Sequence, residues 1–211
     1  MKLKNIFILF LMYAAVHFVQ GQTVNELFVK IPDPAFLPLS VSDRLDLIDL
    51  YKAGEKAAVK NLLEDSCSIF RLTDNYMQIQ TGKNTIELFL LPLINDSKIV
   101  GLIQTVCAPV CDSKIEFYTI TWKKLDTSVF FTYANAYDFL KAEIQPEEEN
   151  VSNALTPLDV SFVRLQYDPD KQELQQYYTT PDYLSEADRS KVMPFLRETP
   201  KALKWNMTRF E

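Results

Sequence analysis

Histidine, glycine and cysteine are all scarce in this chain, and each shortage removes chemistry. The one histidine, His17, lies in an N-terminal stretch that reads as a cleaved leader, so the mature chain is expected to carry none. That excludes a Ser-His-Asp or Cys-His nucleophile pair, every His-based zinc site, and the usual general base poised near neutrality. Four glycines are poor material for loops that cradle phosphate. No G-x-S-x-G, Walker loop, Rossmann fingerprint or H-E-x-x-H occurs. Three cysteines without histidine lack the usual soft ligand set, so no transition metal and no cofactor is expected.

Basic residues are outnumbered, 22 to 28. With Lys2 and Lys4 of the leader removed, the balance is 20 minus 28, or −8. Such a chain has no basic footprint for nucleic acid. Long apolar runs are missing too. The uncharged stretch from Ile6 to Val19 falls short of the ~20 residues a spanning helix needs. Following two lysines and ending at Val19-Gln20-Gly21, it has the form of a secretory signal peptide. Residues 1–21 are therefore expected to be cleaved, leaving a mature chain from Gln22 in the periplasm or outside the cell, with no membrane span.

What is present is strand material. From Cys67 to Trp122 five short runs, rich in β-branched and aromatic residues, alternate with turn-forming clusters, which predicts an antiparallel meander. The runs are Cys67–Leu72, Tyr76–Gln80, Thr85–Leu91, Lys98–Cys107 and Ser113–Trp122. Alternation puts Ser68, Phe70 and Leu72 opposite Cys67, Ile69 and Arg71, and turns Met77 and Ile79 inward with Tyr76 outward. Lys98–Cys107 is apolar on both faces and reads as the central strand. A sheet of this kind must be covered by other elements, which have to come from the flanks.

Before the sheet, Val24–Val41 carries Pro32, Pro34 and Pro38 and is expected to run extended. A helix then starts at Ser42 as N-cap, buries Leu45, Ile48 and Tyr51, and ends at Gly54. Asp43, Asp46 and Asp49 form a carboxylate row that fits either a metal or acid-base site or, as its ordinary meaning, dipole compensation on a solvated face. Ala57–Leu63 fits either a helix or a strand pairing with Cys67–Leu72.

After the sheet, Leu125–Leu140 is rich in aromatics, which form core more often than binding surface. Tyr133 and Tyr137 from this stretch, with Tyr177 and Tyr178, are the candidates for an aromatic binding surface. Pro146 with Glu147-Glu148-Glu149 fits either the start of a short helix reaching Leu155 or an acidic linker. Leu158–Tyr167 and Glu173–Thr179 read as a hairpin turning at Asp168-Pro169-Asp170-Lys171. Ser185 and Asp188 cap a helix from Glu186 to about Met193, and Lys201–Phe210 could add a last strand. The fold class is α+β: the antiparallel meander is covered by short helices, with a second, smaller strand–helix unit at the C-terminus. Residues 22–211 form one domain, or two halves meeting near 126–157.

Cys107 and Cys111 flank Ala108-Pro109-Val110. If those three residues make a hairpin loop, the cysteines face each other across the ladder at disulfide range, and export makes the bond chemically allowed. Cys67 would remain unpaired or compete as partner.

Several segments resemble a known family. Pro34-Ala35-Phe36-Leu37-Pro38-Leu39, Arg44-Leu45-Asp46-Leu47-Ile48-Asp49, Leu72-Thr73-Asp74-Asn75-Tyr76, Thr180-Pro181-Asp182-Tyr183-Leu184-Ser185 and Lys204-Trp205 are similar to an uncharacterised secreted family of Bacteroidetes, domain of unknown function 3256. The resemblance implies an envelope or secreted location and brings no catalytic residues. The chain is thus expected to be a non-catalytic envelope protein that binds a protein, peptide or glycan. The alternatives are a glycosidase-like hydrolase with paired carboxylates and a purely structural component of an envelope assembly.

Overall fold

The computed structural model describes residues 22–32, 39–55, 58–61 and 65–211. The leader, Pro34 and Pro38 lie outside the described residues. Six strands, β1 (Ala58–Lys60), β2 (Ser66–Leu72), β3 (Tyr76–Thr81), β4 (Asn84–Pro92), β5 (Lys98–Cys107) and β6 (Cys111–Thr119), form one antiparallel meander in chain order. The ambiguous Ala57–Leu63 segment therefore contributes a strand over its described part, with Val59 opposite Cys67.

Both faces of this sheet are buried. On one face Met77, Ile79, Ile86, Leu88, Leu90, Val100 and Leu102 share a core with the N-terminal helices α1 (Val24–Val29) and α2 (Val41–Lys52). On the other, Phe89, Leu91, Ile99, Ile103, Ile115 and Phe117 pack against a second sheet built from β7 (Val163–Asp168), β8 (Glu173–Tyr178) and β9 (Lys201–Lys204). The result is three layers: helices, six-stranded sheet, three-stranded sheet. Two-sided burial explains why β5 is apolar on both faces although it is the fifth of six strands and not the middle one.

Several local expectations are corrected. Val24–Val29 is a helix, because the prolines begin only at Pro32 and Thr23 caps it by accepting from Glu26 N. Its Val24, Leu27 and Phe28 are fully buried at i, i+3, i+4, each burial contributing about 1.5–3 kcal/mol. The next helix starts two residues earlier than expected. Ser40 is its N-cap, in a capping box with Asp43, and Arg44 and Leu47 take the buried stripe in place of the exposed Leu45. Gly54 ends the helix at φ 72°, a conformation that favours glycine.

In β2 the pairing register shifts between Ile69 and Arg71. This bulge leaves Phe70 65% exposed and returns Leu72 to the face of Cys67 and Ile69. Tyr76 is buried, facing the second sheet.

The C-terminal half follows the hairpin pattern with shorter elements. Three short helices, α3 (Thr127–Phe130), α4 (Glu149–Leu155) and α5 (Glu186–Val192), flank it, along with 3-10 turns at Ala136–Phe139, Thr180–Asp182 and Met193–Phe195. Helix α4 begins at Glu149, three residues after Pro146. β7 begins only at Val163, and β9 stops at Lys204, after which Trp205 bridges back to Phe210.

β7 docks by a regular device. Its outward N–H groups at Val163, Leu165 and Tyr167 donate to Asp112 Oδ1 (3.0 Å), Ser113 Oγ (2.9 Å) and Glu87 Oε2 (3.1 Å). Side chains of the large sheet thereby satisfy an edge that would otherwise be open. Among the described residues no helix is long and apolar enough to cross a membrane.

Candidate functional site

The structure brings two of the four tyrosines singled out from sequence into one place. Tyr133 serves the fold: its ring meets Phe131 edge-on at 4.8 Å. Its hydroxyl accepts from Ile115 N (3.0 Å) and donates to Ser113 O (3.3 Å), sealing the outer edge of β6. Tyr137 sits on the 3-10 turn, 63% exposed. Tyr177 and Tyr178, at the end of β8, line a cleft of about 320 Å³ between the 180–182 turn, α5 and residues 196–200. That volume is at the small end for ligand sites, about 300–1,000 Å³.

The cleft has an aromatic floor. Phe139 and Tyr178 stack with centroids 5.0 Å apart and planes 14° from parallel. The Arg197 guanidinium lies 5.4 Å from the Phe139 centroid, within cation–π range. Backbone pairing fixes this arrangement, since Arg197 N donates to Phe139 O (2.9 Å) and Lys141 N to Phe195 O (3.0 Å). Behind the floor Phe139, Ala134, Val192 and Leu196 form a small core of their own. One wall carries Arg189, paired with Asp182 at 2.9 Å.

Two buried polar atoms in this cleft make no hydrogen bond: Arg197 Nε and the Tyr178 hydroxyl. Burial pushes the Tyr178 pKa up, and the nearby Thr180 hydroxyl offsets this only in part. That hydroxyl is engaged with the backbone, accepting from Phe162 N at 2.7 Å. A buried donor left unsatisfied costs about 1–3 kcal/mol, more when charged. Among the described residues, no group uses the donor capacity of Arg197 Nε or of the Tyr178 hydroxyl.

Cys107 and Cys111 lie directly opposite each other where β5 turns into β6, and they form a disulfide. Cys67 is free and buried. Asp43 belongs to the α2 cap, while Asp46 and Asp49 are exposed on the same helix. Among the described residues no three His, Cys, Asp or Glu side chains gather as a metal site.

Glu87 is the carboxylate with the largest perturbation. Burial pushes its pKa up to about 7, against hydrogen bonds from Tyr76 and Tyr167 that lower it. It lies between the two sheets, 3% exposed, held by Tyr76 and the Tyr167 backbone. Its raised value thus goes with a packing position and not with a place where substrate could reach.

Sequence reasoning missed Arg189 and Arg197. Neither sits in a motif, and the cleft draws on residues 139, 177–182, 189–193 and 196–200, which only the tertiary fold assembles.

A three-layer antiparallel α+β protein with a small aromatic, arginine-edged cleft is the class defined by this geometry. The chain belongs to the family described as "Protein of unknown function (DUF3256)", which matches residues 16–210. Its fold is similar to a solved domain of an uncharacterized protein from Porphyromonas gingivalis W83. The TM-score is 0.76 at 24% identity, over 90% of this chain and 98% of that one. None of the curated proteins matches.

Proposed function

We propose that this chain is an exported, non-catalytic binding protein of the bacterial cell envelope that holds its partner, a protein, peptide or glycan, in the Tyr177–Tyr178 cleft. The observation that carries this reading is the Arg197 guanidinium set against the Phe139–Tyr178 stack, with its buried Nε unbonded among the described residues. Recognition sites combine an apolar surface with a few convergent polar groups in this way. Export is supported by the charged start and short uncharged run of residues 1–21.

A hydrolase with paired carboxylates gains less support. Of the two carboxylates that line the cleft, Asp182 is engaged by Arg189, leaving Glu198. The test is capture from an envelope extract by the protein and by Thr199→Trp, which fills the rim. The expected result is a defined species, identified by mass spectrometry, that the unaltered protein retains and the variant loses. Equal capture by both, or none by either, would contradict the reading.

A further inference from the structure

The structure assigns the cleft a ligand class: a carboxylate attached to an apolar or aromatic body, with Arg197 as the partner of the carboxylate. This rests on the binding reading above and makes it chemical.

Charge is the first ground. Basic groups near Arg197 are already engaged: Arg189 with Asp182 (2.9 Å), Lys201 with Asp138 (2.6 Å) and Lys141 with the Pro194 carbonyl (2.5 Å). Among the described residues Arg197 alone of these has no carboxylate or carbonyl paired with its guanidinium, which lies against the Phe139 ring. Asp138 feels its charge, but the Asp138 oxygens are taken by Lys201 and by Asn135 N. A guanidinium fixed over a ring and lacking an acid partner presents its planar fork to an incoming oxyanion.

The lining narrows the class further. Phe139, Tyr178, Met193, Leu196, Pro181 and Pro200 offer an apolar bed. No Asn or Gln side chain lines the cleft, so the amide groups that commonly read sugar hydroxyls are missing. Asp182 and Glu198 keep the site from being strongly cationic, which favours one negative charge over a dianionic phosphate. A volume of about 320 Å³ suits one apolar residue bearing a carboxylate, whether a free N-acylated amino acid or the last residue of a peptide.

The experiment titrates the isotope-labelled protein with N-acetylphenylalanine, its carboxamide, and Gly-Gly-Gly-Phe, following backbone amide shifts. N-acetylphenylalanine is expected to move the amides around Phe139, Tyr178 and Arg197, and the carboxamide to bind about tenfold more weakly or worse. Tighter binding by the peptide would point to chain ends as the source of the carboxylate, and weaker binding to the small molecule. Arg197→Met, which keeps an apolar stem over Phe139, should bind acid and amide alike, with its melting curve showing that it folds. Equal binding of both probes by the unaltered protein would overturn the carboxylate assignment and leave the binding reading standing. Discrimination that survives in Arg197→Met would overturn the role of Arg197. If no probe moves cleft amides, the ligand class is wrong, and Thr199→Trp capture still judges the binding reading by itself.

Discussion

The backbone N–H of Tyr167 donates to Glu87 Oε2 at 3.1 Å, and the same oxygen accepts from the Tyr76 hydroxyl at 2.8 Å. One buried carboxylate thus joins an edge strand of the small sheet to two strands of the large one. Burial raises its pKa from 4.5 to about 7, so the folded state favours the protonated form. The resulting stability is fully present below about pH 4.5 and is lost as pH rises through about 7. Charging the buried group costs on the order of 3 kcal/mol. Urea unfolding should therefore show the protein less stable at about pH 8 than at about pH 5, with Glu87→Gln flattening most of that difference. An unchanged pH dependence in the variant would rule this out. Asp126, Asp138, Asp188 and Glu116, whose pKa values are lowered, titrate below this window and do not confuse it.

Gly101 stands opposite Phe89 on β5. A Cβ added there would meet the Phe89 ring at 2.2 Å. The ring has nowhere to go, because Tyr167 stacks on it at 4.0 Å. Gly101→Ala should cost about 1–3 kcal/mol or more through overpacking. Adding Phe89→Leu should recover part of that loss, since the two sites couple directly. Additive losses in the double variant would show that the clash is not the cause.

The Cys107–Cys111 bridge closes a very small loop, so Cys107→Ser with Cys111→Ser should lower stability by only about 2 kcal/mol. Thiol titration of unfolded, unreduced protein should return one free thiol, Cys67. In the folded protein that thiol should react slowly, since it is fully buried and burial raises its pKa. Three thiols in the unfolded chain would mean that the bridge does not form.

Strand positions were legible because alternation and turn clusters recur from Cys67 to Trp122, and the capping signals at Ser185 and Gly54 act locally. What failed was assignment of faces. Alternation turns Tyr76 outward, and nothing local announces the second sheet that covers it. Alternation sets Leu72 opposite Ile69, because a bulge adds a residue without changing composition. Prolines at 32 and beyond hid the periodicity of Val24, Leu27 and Phe28, a single helical turn too short to stand out. The cleft was visible only as Tyr177 and Tyr178. Its charge, at Arg197, comes from a segment whose role depends on backbone pairing with Phe139.

The central claim is that the Tyr177–Tyr178 cleft is where this protein meets its partner. Hydrogen–deuterium exchange, with and without an envelope extract from its native host, tests it most directly. Slowed exchange concentrated in residues 177–182 and 193–200 is the predicted result. Unchanged exchange there, or protection confined to the β6 edge or the Tyr137 turn, would contradict it.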